Sequence, residues 1–126
     1  MQAGCHRFDP DILHHFKNTK KGNNVRYDKL IRDRIPEIMD TKGKQYTIRQ
    51  VDTDMEKNAY LKKKLQEEVH EFLEKPCIEE LADIKEVLLA LADSLGYIPE
   101  ELEFVRMSKR TERGGFEDGI VLEEVL

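Results

Sequence analysis

Apolar residues recur at helical spacing through much of the chain, and the longest such stretch is Lys64 to Leu95, KLQEEVHEFLEKPCIEELADIKEVLLALADSL. At roughly 100° per residue, Leu61, Leu65, Val69 and Phe72 share one stripe, and Leu81, Ile84, Val87, Leu88, Leu91 and Leu95 share another. Lys75-Pro76-Cys77 separates the two stripes, because proline lacks the N–H that would continue a helix and restricts the residue before it. The pattern predicts two amphipathic helices folded back on each other. The first starts near Asp54, capped by Thr53 or Asp54, and runs to Glu74. The second runs from Cys77 to Leu95 and is closed by Gly96.

The same pattern predicts the flanking elements. In residues 25–43, Leu30, Ile31, Ile35, Ile38 and Met39 are spaced helically, with Pro36 starting a fresh turn or bending the segment and Gly43 as a stop. Residues 44–51, KQYTIRQV, alternate weakly and predict a short strand. Pro99-Glu100-Glu101 opens a third long helix with apolar Leu102, Val105 and Met107, ending at Gly114-Gly115. Gly119-Ile120-Val121-Leu122 predicts a second short strand, able to pair with residues 45–51. Residues 1–23 differ from the rest: a short helix Asp11–Lys17, then a polar run, form an N-terminal appendage ahead of a domain at 24–126. Its His6, His14 and His15 have no acidic or cysteine partner at ligand spacing and read as surface histidines. The fold class is mainly α, an antiparallel helical hairpin or bundle with a minor two-stranded β element.

Acidic residues interrupt the apolar stripes, and that changes the picture. Glu68 falls between Leu61, Leu65 and Phe72, with Glu71 at the edge, whereas Glu67 and Glu74 turn towards water. On the second helix Glu80 falls within the stripe and Asp83 at its edge, whereas Glu79 and Glu86 point outwards. An unpaired carboxylate at a core position is unfavourable, so such groups are neutralised, paired or bound to metal. Two i, i+3 carboxylate pairs on facing helices form a set of oxygen ligands suited to a hard divalent cation such as Mg²⁺. The alternative is a salt-bridged surface, with Lys64 or Lys85 as partner, although neither is phased to neutralise all four acids. A carboxylate-bridged di-iron site would need a histidine on each helix; Glu67-x-x-His70 has the spacing, but the second helix has no matching histidine.

Composition then excludes several classes. With 126 residues, 37% of them charged, the chain is one domain with a modest core. No apolar run approaches the ~20 residues that span a bilayer, so no membrane partner is expected. A net charge of −5 argues against nucleic acid as the main partner. Cys5 and Cys77 lie far apart without CxxC spacing, indicating neither a disulfide framework nor a zinc site and making a reducing cytoplasm the default location. Lys109 and Arg113, at i, i+4, favour the dipole at the third helix's end, and with Lys64 they are also candidate ligands for phosphate oxygens that a metal leaves uncovered. Arg32 and Arg34 flank Asp33, either as a surface ion pair or with one arginine reaching a phosphate.

EExxE followed by ExxD on adjacent helices is similar to the signature of the all-α nucleoside triphosphate pyrophosphohydrolases, the MazG-like group. Tyr27-Asp28-Lys29-Leu30-Ile31-Arg32-Asp33-Arg34-Ile35-Pro36-Glu37-Ile38, the stretch EELADIKEVLLALADSLGY and Arg113-Gly114-Gly115-Phe116 resemble its compact, phosphoribosyl-ATP pyrophosphohydrolase-like branch. The likeness covers roughly residues 25 to 125. It implies a helical homodimer or homotetramer and Mg²⁺-dependent (or Mn²⁺-dependent) cleavage of the α–β phosphate link of a nucleoside triphosphate, as in cleansing of the nucleotide pool. By position it implies Glu68, Glu71, Glu80 and Asp83 as metal ligands, and Glu67, the first acid of the motif, as lying behind those ligands or helping to orient the attacking water. Glu67, Glu68 and Glu71 would carry the catalysis, with Glu67 or Glu71 taking the water's proton. Phosphoribosyl-ATP hydrolysis and a non-catalytic helical interaction module are the alternatives.

Overall fold

The computed structural model describes residues 25–126 and contains four helices there: α1 (Ile35–Thr41), α2 (Asp54–Glu74), α3 (Ile78–Ser94) and α4 (Pro99–Arg113). The N-terminal helix expected at Asp11–Lys17 and the histidines around it lie outside the described residues. No described helix is long and apolar enough to cross a membrane.

Local chemistry accounts for each helix end. Thr53 Oγ1 accepts the backbone N–H of Glu56 at 3.0 Å, and Glu56 in return accepts the N–H of Asp52 at 2.8 Å, fixing the start of α2. Pro36 stands in the first turn of α1 and Pro99 opens α4, positions where a missing N–H leaves no bond unmade. At α4 the Glu101 carboxylate also accepts the Ile98 N–H at 2.9 Å. Gly96 follows α3 at φ +91°, a left-handed conformation that a side chain would resist.

α2 and α3 form the body of the structure. The three residues between them allow only a tight reversal, and Asn58 near the start of α2 donates to Ser94 at the end of α3 at 2.8 Å, so the pair is antiparallel. Leu61, Val87 and Ala92 are buried in this hairpin, with Ile35 of α1 and Cys77 of the α2–α3 connection completing a small core. α4 packs only lightly on α3, and none of its residues is buried. Cys77 is disulfide-bonded rather than a free thiol. This corrects the reading of the cysteines from their spacing and removes that support for a reducing compartment; Cys5 lies outside the described residues.

The expected β element is absent: among the described residues there is no strand. Residues 44–51 are instead fastened to helices by their side chains. The Tyr46 hydroxyl donates to Asp40 at 2.6 Å, and the Arg49 guanidinium donates to Glu56 at 2.8 Å. The intended partner, around Ile120 and Val121, extends beyond α4 with both side chains at least four-fifths exposed. Alternating residues make a strand only when a second strand lies alongside. Residues 25–34 likewise run without helix apart from a turn at 33–34, so α1 is shorter than the apolar spacing suggested.

Candidate metal centre

Helical phase carries the acids of α2 and α3 to one edge of the hairpin. One carboxylate oxygen from each of Glu68, Glu80 and Asp83 lies within 4.8 Å of the others. Glu68 is 5% exposed, the most buried charged residue described, and its Oε2 is buried without a hydrogen-bond partner. Its Oε1 lies 3.3 Å from Lys64 Nζ. Burial pushes the Glu68 carboxyl up to about 7; Lys64 opposes the shift, and the neighbouring charges of Glu71 and Asp83 add to it. Glu71 is therefore close to the trio and half-buried, as phase predicts, but its oxygens lie outside the trio's 4.8 Å circle. A cluster of hard oxygen donors that includes the buried, unsatisfied Glu68 Oε2 has the donor chemistry that suits a hard cation.

Glu67 is placed differently from the sequence expectation. It does not turn to water: Lys29 Nζ reaches its Oε1 at 2.9 Å and Lys64 Nζ its Oε2 at 3.0 Å. Burial raises the Glu67 carboxyl, but the two ammonium groups outweigh burial and hold it below the usual range. Lys64 shows the mirror image. Burial alone would lower its pKa, and Glu67 and Glu68 together raise it.

The cations that meet the acids come mainly from the segment before α1. Arg32 donates to Asp83 at 2.7 Å, whereas Arg34 turns back onto Glu37 at 2.9 Å. Local sequence left these two arginines equivalent; the fold separates them. No spacing in the sequence singles out Lys29, which stands inside the Tyr27–Ile38 motif two residues before Ile31. Its signal is only that motif, since its partner Glu67 is 38 positions away. Of the three cations expected at phosphate, only Lys64 is brought to the cluster. Lys109 and Arg113 lie exposed on α4 and make no salt bridge among the described residues.

Beside the cluster, Tyr27, Asp28, Lys29 and Leu30 face Tyr60, Lys63, Lys64 and Glu67 of α2 across a cavity of about 230 Å³. Asp28 takes φ +45°, which a short polar residue tolerates, and accepts the Tyr60 hydroxyl at 2.6 Å. The Asp28–Tyr60 bond ties the segment to α2. Comparison with protein-family models, curated proteins and solved structures gives no match to this chain.

Proposed function

We propose that this chain is a Mg²⁺-dependent nucleoside triphosphate pyrophosphohydrolase of the all-α, MazG-like kind that its motifs resemble, cleaving the α–β phosphate link to give a nucleoside monophosphate and pyrophosphate. Cleansing of a nucleotide pool is the role that goes with this activity. The observation that carries the reading is the convergence of Glu68, Glu80 and Asp83 around a buried carboxylate oxygen that lacks a hydrogen-bond partner.

Glu68, Glu80 and Asp83 would hold the ion, and Mn²⁺ could replace Mg²⁺ because both take oxygen ligands. When bound, Mg²⁺ neutralises polyphosphate charge and activates the attacking water. Glu71, adjacent to the trio but outside it, accepts the proton released as the water oxygen bonds to phosphorus. Glu67 is the weaker acceptor, since both of its oxygens are engaged by ammonium groups and its carboxyl is held low. Its work is to hold Lys29 and Lys64. As the bridging P–O bond breaks, Lys64 stabilises charge on the departing pyrophosphate. Lys109 and Arg113 take no step in a single chain. A homodimer or homotetramer belongs to the same reading, since α4 and the tail leave Phe104 72% and Ile120 85% exposed.

One observation favours a second reading. Asp83 and Glu68 each have a cation in place, Arg32 and Lys64, as a salt-bridged helical module without catalysis would. A screen of canonical, deoxy and damaged nucleoside triphosphates with Mg²⁺ separates the two. Monophosphate and pyrophosphate from any of them support the enzyme. No product, together with no saturable Mg²⁺ binding by calorimetry, supports the module; orthophosphate release means a different bond is cut.

A further inference from the structure

We propose that the cavity between residues 27–30 and the first half of α2 is a binding site for a polyphosphate anion, with Lys29, Lys63 and Lys64 as its ligands. The inference deepens the pyrophosphohydrolase reading and rests on it only for what the anion is attached to.

Charge is the first argument. On a chain of net charge −5, three ammonium groups line this cavity against two carboxylates, Asp28 and Glu67. Asp28 is already engaged by the Tyr60 hydroxyl and Glu67 by Lys29 and Lys64. Lys63 has no carboxylate partner among the described residues, so its charge is not locally neutralised. An acidic protein that concentrates cations in one concavity creates a local field favouring anions.

Preorganisation is the second. Lys29 Nζ lies 5.7 Å from the centre of the Tyr27 ring, and Lys63 Nζ 5.6 Å from that of Tyr60. Both ammonium groups are therefore held at the walls by attraction to ring faces. Lys64 is fixed by its two glutamates, with its side chain 17% exposed.

Size and position complete the case. About 230 Å³ is smaller than a pocket that encloses a drug-sized ligand, but it accommodates a short phosphate chain. Lys64 and Glu68 are one helical turn apart on the same face, about 6 Å along the axis. A chain of phosphates lying in the cavity would therefore run towards the carboxylate trio. Lys29 and Lys64 would exchange carboxylate oxygens of Glu67 for phosphate oxygens.

The test is calorimetric titration of the metal-free full chain with inorganic tripolyphosphate, pyrophosphate and orthophosphate, and separately with a non-hydrolysable nucleoside triphosphate. Saturable binding that strengthens from orthophosphate to tripolyphosphate is expected. Lys63→Ala and Lys29→Ala are each expected to weaken tripolyphosphate about tenfold, the loss of one charge-assisted contact, while Lys62→Ala leaves it unchanged. Equal retention of inorganic tripolyphosphate and the nucleotide analogue identifies the phosphate chain as the feature bound; tighter retention of the analogue adds a nucleoside contact to the same site. Lack of saturable binding, orthophosphate binding as tightly as tripolyphosphate, or insensitivity to both Lys63→Ala and Lys29→Ala would overturn the proposal. Since no catalysis is involved, polyphosphate binding without hydrolysis refutes only the enzyme reading. Hydrolysis with unaltered binding and KM in both Lys63→Ala and Lys29→Ala refutes only the cavity.

Discussion

The two ends of this molecule break opposite rules. At the acidic edge of the α2–α3 hairpin, charge is taken out of water: Glu68 is 5% exposed, and Glu80 and Asp83 close in on it. Along α4 and the tail, apolar groups are left in water, with Phe104, Phe116, Ile120, Val121 and Leu122 all largely exposed. The first arrangement is unfavourable for an isolated chain unless a cation completes it. The second leaves large apolar side chains in water, the kind of surface that marks an interaction site when such residues adjoin. On the proposed function, a cation would complete the first arrangement and the apolar surface of a second copy would cover the second.

The sharpest way to break the comparison is at the acidic edge. Glu80→Gln or Asp83→Asn is expected to reduce Mg²⁺-dependent pyrophosphate release by roughly 10²–10³-fold with helical circular dichroism unchanged. Unaltered turnover in both would remove the edge from the chemistry. Next in size is a pair of truncations. Leu61→Ala, at a position 3% exposed, is expected to cost about 2–5 kcal/mol in chemical denaturation. Phe104→Ala, at 72% exposed, is expected to stay within about 0.5 kcal/mol. A large, concentration-dependent loss at Phe104 would show that α4 is covered by a second copy in solution.

The titration of Glu68 offers a smaller but more diagnostic effect. Its carboxyl is raised in the folded, metal-free protein to about 7 from an ordinary 4.5, chiefly by burial. The folded state therefore binds the proton more tightly than the unfolded one. This group's contribution is most favourable below pH 4.5 and declines as pH rises through 7. In chelator, Glu68→Gln is expected to flatten that slope and to stabilise the protein by about 1–3 kcal/mol at pH 8 and by little at pH 4.5. Wild-type stability that rises between pH 5 and 8, with the slope unchanged in Glu68→Gln, would mean that Lys64 already compensates the charge. The smallest effect tests the hairpin's frame: Thr53→Ala removes the cap on Glu56 N–H and is expected to cost about 1 kcal/mol in thermal unfolding.

Much of this was legible along the chain. α2, with its start at a Thr53 or Asp54 cap and its end at Glu74, follows from periodicity and a proline; the structure settles the cap on Thr53. The choice of Glu68, Glu71, Glu80 and Asp83 over Glu74 and Glu86 follows from phase alone, although the same phase turns Glu67 to water, where the structure pairs it with Lys29 and Lys64. A helix repeats every 3.6 residues whatever surrounds it, so a stripe and its interruptions can be read directly from the order of residues. The strands at 44–51 and 119–122 could not be read in the same way. A strand has no internal hydrogen bonds, and whether its groups find partners depends on where another segment lies.

What the amino-acid order determined here is the course of α2, α3 and α4 and the face on which Glu68, Glu80 and Asp83 stand, but neither the short span of α1 nor the burial of Glu67. What only the tertiary structure decided is which cations come to those acids. Lys29 reaches Glu67 across 38 positions and Arg32 reaches Asp83 across 51, whereas Lys109 and Arg113, equally plausible by charge, stay on exposed α4. Ion pairing depends on separation in space, and separation in space is set by how the non-helical segment 25–34 crosses the hairpin. No periodic rule governs such a segment.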